Sequence, residues 1–344
     1  MGSGHVIRCA ALAQVLMQQG HVISFVCREL PGNRIEWLKA QGFTVETLSL
    51  EGEYKPLPDD YESWLGATLE QETAATGKRL ARLTPLDWLL VDHYALDANW
   101  EGAMRTHATN ILAVDDLANR PHSCDILLDQ SLPAHAVRYE GLISKSVVPL
   151  LGPRFALLRE EFADVRQHAL ARTSLQRILI FMGGGDVQNH TGRIVAALAE
   201  LNELAVDIVI DQTNPHRDVL AKQCSAAGFK LHVQTPAIAQ LMLQADLMIG
   251  AAGTTTWERC CLGLPSILFS IADNQSGIGA AAARHRFALY LGPCDAVSVA
   301  QLPRVVSELK QRFGLLARLG LNARKWVDGL GAMRVAALLE SQIG

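Results

Sequence analysis

Short, continuous apolar runs recur along the whole chain, separated by amphipathic stretches, and this alternation restricts the fold more than any other feature. In the first half the runs are Val22-Ile23-Ser24-Phe25-Val26-Cys27, Trp88-Leu89-Leu90-Val91-Asp92, Ile111-Leu112-Ala113-Val114-Asp115-Asp116 and Asp125-Ile126-Leu127-Leu128-Asp129. Runs this short and this uniformly apolar, with helical material between them, read as parallel strands covered on both faces. The second half restarts the pattern with Arg177-Ile178-Leu179-Ile180-Phe181-Met182, Val206-Asp207-Ile208-Val209-Ile210, Lys230-Leu231-His232-Val233, Asp246-Leu247-Met248-Ile249-Gly250 and Ser266-Ile267-Leu268-Phe269. A chain of 344 residues is long for one hydrophobic core, and two domains of roughly 150 to 170 residues are the default. Two doubly wound α/β domains facing one another across a cleft are therefore expected. Residues 1–158 and 159–344 are their expected limits, with the polar stretch from Arg159 to Leu175 as the crossover. The helices after about Gly320 can pack on either domain.

Composition narrows the function. With 49% hydrophobic and 19% charged residues the chain is globular. A formal net charge of −4 gives no support for nucleic-acid binding, which needs concentrated positive charge. The seven cysteines include the adjacent Cys260 and Cys261 but no C-x-x-C pair. They read as reduced, mostly buried thiols, with neither a zinc site nor a disulfide framework. No apolar run approaches the roughly 18 residues of a membrane span, and no signal-peptide pattern opens the chain. A cytoplasmic monomer with no metal, no cofactor, no membrane and no nucleic-acid partner is the expectation.

Candidate chemistry sits where strands end. Met1-Gly2-Ser3-Gly4-His5 runs directly into the helical pattern Val6-Ile7-Arg8-Cys9-Ala10. A glycine-rich turn before a helix holds phosphates well, because the backbone can approach closely and the helix start offers N–H groups. His5 stands on that turn, with a side chain suited to taking a proton from water; as one of 11 histidines it can equally be a surface residue. The other first-half candidates are Gly4, Arg8, Asp92, His93, Tyr94, Asp115 and Asp116. In the second half, Gly183-Gly184-Gly185-Asp186 follows a strand. It can be a tight turn or a diphosphate cradle, and it matches neither the Walker A nor the dinucleotide pattern. Ala252-Gly253-Thr254-Thr255 also lies between a strand and a helix, and either threonine can cap that helix or donate to phosphate. Glu258, one turn on, can accept both hydroxyls of a ribose, or simply be a first-turn acid. Asn274 and Gln275, leaving the next strand, can bind sugar hydroxyls or form an ordinary polar loop.

Several of these segments together resemble a known family. They are Gly2-Ser3-Gly4-His5 with Arg8-Cys9, Val91-Asp92-His93-Tyr94, Val114-Asp115-Asp116-Leu117, Cys124 to Gln130, Leu151 to Phe162 and Met182 to Asp186. The chain from Gly2 to about Arg286 resembles the UDP-2,4-diacetamido-2,4,6-trideoxy-β-L-altropyranose hydrolases of pseudaminic acid biosynthesis, a route serving flagellin glycosylation. Through Gly253 to Glu258 and Gly263-Leu264-Pro265, the second half also resembles the UDP-binding domain of the transferase that adds N-acetylglucosamine to lipid I. The resemblance implies a glycosyltransferase B fold of two Rossmann-like domains, with His5 as catalytic base. It further implies UDP held by Gly183–Asp186 and Ala252–Thr255, with Glu258 on the ribose. Water would attack the anomeric carbon with inversion, without a metal. Members of that family carry a strand before the glycine turn, so the first strand of the N-terminal domain is expected to be missing here, through a misplaced start. The alternatives are a UDP-sugar-dependent glycosyltransferase, a non-catalytic sugar-nucleotide binding protein and a non-hydrolysing UDP-sugar 2-epimerase.

Overall fold

The computed structural model describes residues 4–57, 60–132, 135–201 and 203–343. The chain divides into two compact units, one of residues 1–157 with 331–344 and the other of residues 158–330.

Unit 1 runs α1 (Gly4–Gln18), β1 (Ser24–Arg28), α2 (Ile35–Ala40), β2 (Thr44–Leu48), α3 (Leu69–Leu80), β3 (Leu86–Val91), α4 (Ala98–Met104), β4 (Ala108–Val114), β5 (Ile126–Asp129) and β6 (Val148–Leu151). Unit 2 runs α5 (Glu160–Arg166), β7 (Arg177–Phe181), α6 (His190–Leu198), β8 (Ala205–Ile210), α7 (Arg217–Ala226), β9 (Lys230–Val233), α8 (Ile238–Gln244), β10 (Leu247–Ala251), α9 (Thr255–Leu262), β11 (Ser266–Ser270), α10 (Asp273–Arg284), β12 (Leu289–Pro293), α11 (Leu302–Gln311) and α12 (Phe313–Arg324). The last helix, α13 (Gly331–Glu340), returns to unit 1.

That return corrects the expected second domain of 159–344. Val335, Ala336 and Leu339 of α13 join a core with Leu12, Leu112, Val114, Ile126 and Leu128, and Trp88 Nε1 donates to the Leu339 carbonyl at 3.1 Å. A Cβ at Gly331 would lie 2.2 Å from the Ala156 carbonyl oxygen, so only glycine lets α13 start where it does. Burial of the Val335, Ala336 and Leu339 face, rather than chain order, decides where α13 packs.

Among the described residues, every ladder between the named strands is parallel. Unit 2 holds one six-stranded sheet in the order β12-β11-β10-β7-β8-β9. Unit 1 holds two ladders, β1-β2 and β3-β4-β5-β6, with no pairing between β1 and β3 among the described residues. Every residue of β1 is only partly buried, whereas β5 is buried throughout. The glycine turn expected at Gly2 to Gly4 lies mostly outside the described residues. Gly4 and His5 already belong to α1, so His5 sits in the first turn of a helix rather than on a loop. Among the described residues no helix is long and apolar enough to cross a membrane.

Unit 1 also buries a charged network beneath the carboxyl ends of its strands. Glu101, Asp115 and Asp129 are fully buried. His122 Nδ1 donates to Glu101 at 2.7 Å, and its Nε2 lies 3.8 Å from Asp115. Burial pulls the His122 pKa down, but Asp115 and Glu101 outweigh it and raise it to about 9. A histidine whose folded pKa is raised stabilises the fold fully below its unfolded value of 6.5, and that contribution is lost as pH climbs through about 9. Urea unfolding should therefore give falling stability across this window for the parent, and a shallower slope for His122→Asn. Equal slopes for both proteins would remove His122 as the source.

Candidate functional site

The first cluster lies within unit 1, at the start of α1 and the ends of β3 and β4. His5 Nδ1 is 2.6 Å from Asp92 Oδ1. A carboxylate only accepts, so the Nδ1 proton is donated to Asp92 and Nε2 is the nitrogen left to take a proton. Arg8, buried to 3% exposure, grips the same carboxylate through Nε and Nη2, both at 2.6 Å. Its Nη2 comes within 3.2 Å of His5 Nδ1 because both donate to the same oxygen. The third guanidinium nitrogen donates to Asp116 Oδ2 at 3.1 Å. Burial opposes ionisation of Asp92, but Arg8 and His5 overcome it and hold its carboxyl well below the usual carboxylate range. Asp92 is therefore a fixed anion that orients the imidazole.

Asp92, His93 and Tyr94 were expected at a strand end, where alternating directions need not bring them together. All three follow the last residue of β3. Tyr94 turns back to the cluster: its hydroxyl donates to Asp116 Oδ1 at 2.7 Å, and its ring meets the His5 ring edge-on with centroids 4.8 Å apart. Burial and Asp116 push the Tyr94 phenol pKa up, so it remains a donor. His93 is engaged locally instead, its Nδ1 accepting from the Ala95 amide at 3.1 Å. Burial, reinforced by His5, lowers its pKa to about 3, which makes it a poor proton acceptor near neutrality. Asp115 belongs to the buried network, accepting from Arg120 Nη1 at 2.7 Å.

The second cluster lies within unit 2. Chain order reverses direction between β7 and β10, neighbours in the sheet but first and fourth in sequence. Open α/β sheets bind ligands beyond the carboxyl ends of the strands at such a reversal. Gly183 to Asp186 follows β7, Ala252 to Thr254 follows β10, and α10 follows β11 beside it. Topology therefore brings together three segments that lie far apart in sequence. Asn274 and Gln275 are in the first turn of α10 rather than on the expected loop. Asn274 is exposed. Gln275 reaches toward the glycine turn: a Cβ at Gly253 would touch its Nε2 at 3.5 Å.

The two helix starts differ. Asp186 accepts from the His190 and Thr191 amides at 2.8 and 2.9 Å, and Asn189 accepts from Gly192 at 3.2 Å. The first turn of α6 therefore already holds an anion of its own, and Asp186 works as its cap. At α9, Thr254 stands in the capping position but its side chain accepts no bond from the helix, so the expected threonine cap is not formed. Thr255 is the first residue of α9, and Ala252 beneath it is fully buried. Gly183, at φ +101°, and Gly185 both border open space; Gly184 lies between them. Burial raises the Glu258 pKa while Arg159, with Nη2 at 3.7 Å, opposes the rise.

Three further residues flank these clusters: Arg159 beside Glu258, and Tyr61 and Trp64, whose rings lie 5.1 and 6.2 Å from that of Tyr94. Arg159 looked like part of a crossover. Tyr61 and Trp64 sit in a polar stretch, where two aromatic side chains four residues or fewer apart were the available signal.

No family model matches the sequence. The spore coat polysaccharide biosynthesis protein SpsG of Bacillus subtilis is 27% identical over 193 residues, covering 55% of this chain and 57% of that protein. The chain thus spans little more than half the length of that relative. The UDP-2,4-diacetamido-2,4,6-trideoxy-β-L-altropyranose hydrolase of Campylobacter jejuni is 27% identical over 264 residues, covering 76% of this chain and 84% of that enzyme. Among solved structures, MurG of Acinetobacter baumannii matches with a TM-score of 0.66 at 18% identity, over 99% of this chain and 97% of that one. The spinosyn rhamnosyltransferase SpnG matches at 0.61 and 17% identity, over 97% and 96%. Arabidopsis thaliana UGT89C1 complexed with UDP matches at 0.63 and 12%, over 98% and 97%. Together with the two parallel-sheet units, these likenesses identify the fold as glycosyltransferase B, built from two Rossmann-like α/β units.

Proposed function

We propose that this chain is an enzyme acting on a UDP-sugar, in which unit 2 holds the nucleotide and His5 activates the oxygen nucleophile that displaces UDP from the anomeric carbon. The observation that carries this reading is the His5–Asp92–Arg8 arrangement. A buried, ionised Asp92 accepts a hydrogen bond from His5 Nδ1–H, which leaves Nε2 as the nitrogen able to accept a proton. UDP is a good leaving group, so its departure needs positive potential more than a proton. The start of α9, which no side chain caps, and the turn of Gly183 to Gly185 supply backbone N–H groups for that purpose. Glu258 takes the ribose hydroxyls.

In the main reading the nucleophile is water. Its oxygen bonds to the anomeric carbon as the bond to the UDP oxygen breaks, and its proton passes to His5 Nε2 and then to solvent. The substrate is UDP-2,4-diacetamido-2,4,6-trideoxy-β-L-altropyranose, by analogy with the Campylobacter jejuni hydrolase. The second reading puts an acceptor hydroxyl where water stands and makes the enzyme a glycosyltransferase. The match to a rhamnosyltransferase along nearly the whole chain favours it. Incubation with UDP-sugars and no acceptor separates the two: stoichiometric UDP and free sugar support the hydrolase, and UDP release only after an alcohol is added supports the transferase. Binding of UDP with turnover under neither condition would leave a sugar-nucleotide binding protein.

The nucleotide half has its own test. Glu258→Ala should weaken UDP binding tenfold or more, since buried charge-assisted hydrogen bonds contribute about 1.5–3 kcal/mol. Binding of inorganic pyrophosphate, which has no ribose, should stay unchanged. Equal weakening of both ligands in calorimetric titrations would assign the effect to a distorted α9.

A further inference from the structure

Between β2 and α3 the chain makes a tight turn over Glu62–Leu65 that is held on several sides. Trp64 Nε1 donates to the Leu57 carbonyl at 2.7 Å, and the Leu57 amide donates to Ser63 Oγ at 2.8 Å. Leu65 is buried in the unit 1 core. Gly66 ends the turn at φ +68°, where a Cβ would come within 2.6 Å of Leu30 and 2.9 Å of Leu50. Residues 60–66 are therefore held in place as a wall.

That wall presents aromatic rings to the His5 cluster. Tyr61 and Trp64 meet edge-on, with centroids 4.9 Å apart. Tyr61 lies 5.1 Å and Trp64 6.2 Å from the Tyr94 ring, which in turn lies 4.8 Å from His5. Four rings run without a break from the loop to the imidazole. Tyr94 is buried, but Tyr61 and Trp64 are only partly covered. Partly exposed aromatic surface beside a charged cluster gains further burial when apolar ligand surface covers it. A sugar presents two kinds of surface that suit them: the C–H face of its ring, and methyl groups on its substituents.

We propose that Tyr61 and Trp64 are specificity-determining residues that receive the methyl-bearing substituents of the sugar, acetamido or 6-deoxy, and so select such sugars over fully hydroxylated ones. This rests on the UDP-sugar reading above. The polar residues of the cluster are poorly suited to that selection, because Arg8, Asp92, Asp116 and Tyr94 already bond to one another. An apolar wall discriminates through the methyl group it covers and the hydroxyl it leaves without water, an effect that in hydrophobic pockets reaches roughly 10- to 200-fold.

The test is calorimetric binding of UDP, UDP-glucose and UDP-N-acetylglucosamine to the full chain. The parent should bind UDP-N-acetylglucosamine about tenfold or more tightly than UDP-glucose. Trp64→Ala and Tyr61→Ala should each bring that ratio close to one while UDP affinity holds. Trp64→Phe, which keeps a ring and gives up the bond to Leu57, should retain most of the preference and guards against misreading a folding defect. An unchanged ratio in both alanine variants, or a parent with no preference, overturns the proposal. Selective binding without turnover of any sugar nucleotide would refute the enzymatic reading and keep the wall. Turnover with an unchanged ratio would do the reverse, and a parent that binds none of the three ligands overturns both.

Discussion

His5→Ala should lower kcat by about 10²–10⁴-fold, the usual cost of removing a general base, while UDP affinity stays within about twofold of the parent. The groups that set this effect all lie in unit 1. Asp92 fixes the Nδ1 proton, Tyr94 sets the ring plane from its edge, and Nε2 is the remaining basic site. The two nearest proton-active neighbours are poor substitutes. His93, with its pKa at about 3, is too weak a base, and Tyr94 remains protonated against Asp116. Steady-state kinetics with parallel UDP titrations make the measurement. A variant retaining more than about a third of the parent kcat would remove His5 from the role.

The largest effect on stability is expected at Asp92. Arg8 is buried to 3% exposure and both bonds to Asp92 are 2.6 Å long. Asp92→Ala would leave that guanidinium with only the 3.1 Å contact to Asp116 as an ion pair. Removing one partner of a buried pair typically costs about 3–5 kcal/mol, because the other charge stays desolvated. Urea unfolding at neutral pH should register a loss of that order, together with a loss of activity similar to that of His5→Ala. A stability change under about 1 kcal/mol would mean that Arg8 finds compensation elsewhere. Asp92→Asn separates the two roles: the shape is kept, and the charge that stabilises a protonated His5 is lost.

The central strands were legible in the sequence because burial on both faces makes them apolar throughout. β4, β5, β7, β8, β10 and β11 all coincide with the expected runs. The strands that gave no signal are edges. Thr44–Leu48 alternates with polar residues, Val148–Leu151 carries Pro149, and Leu289–Pro293 ends in Gly292-Pro293 with an irregular register beside β11. Edge strands bury less and tolerate proline, so their sequences are weaker. The return of α13 to unit 1 was illegible for a different reason, since an amphipathic helix does not encode which core it covers.

The candidate site divides in the same way. Strand-end acids and glycine turns have positional meaning in an α/β sheet, so Asp92, Asp116, Gly183 and Gly253 could be named from local sequence. What those residues bond to could not. Asp186 caps α6 through two amides, and Asp92 is committed to His5 and Arg8, contacts that depend on how the segments pack. Tyr61 and Trp64 gain meaning only because the turn at Glu62–Leu65 sets them against Tyr94.

The most direct test of the central claim is an acceptor-free reaction of UDP-2,4-diacetamido-2,4,6-trideoxy-β-L-altropyranose in ¹⁸O-water, followed by NMR and mass spectrometry of both products. Attack by water on the anomeric carbon, assisted by His5, requires the label in the freshly released sugar, with its anomeric configuration inverted, and unlabelled UDP. Label in a phosphate would mean cleavage at phosphorus, and absence of UDP without an added acceptor would mean that water is not the nucleophile; either result contradicts the hydrolytic reading.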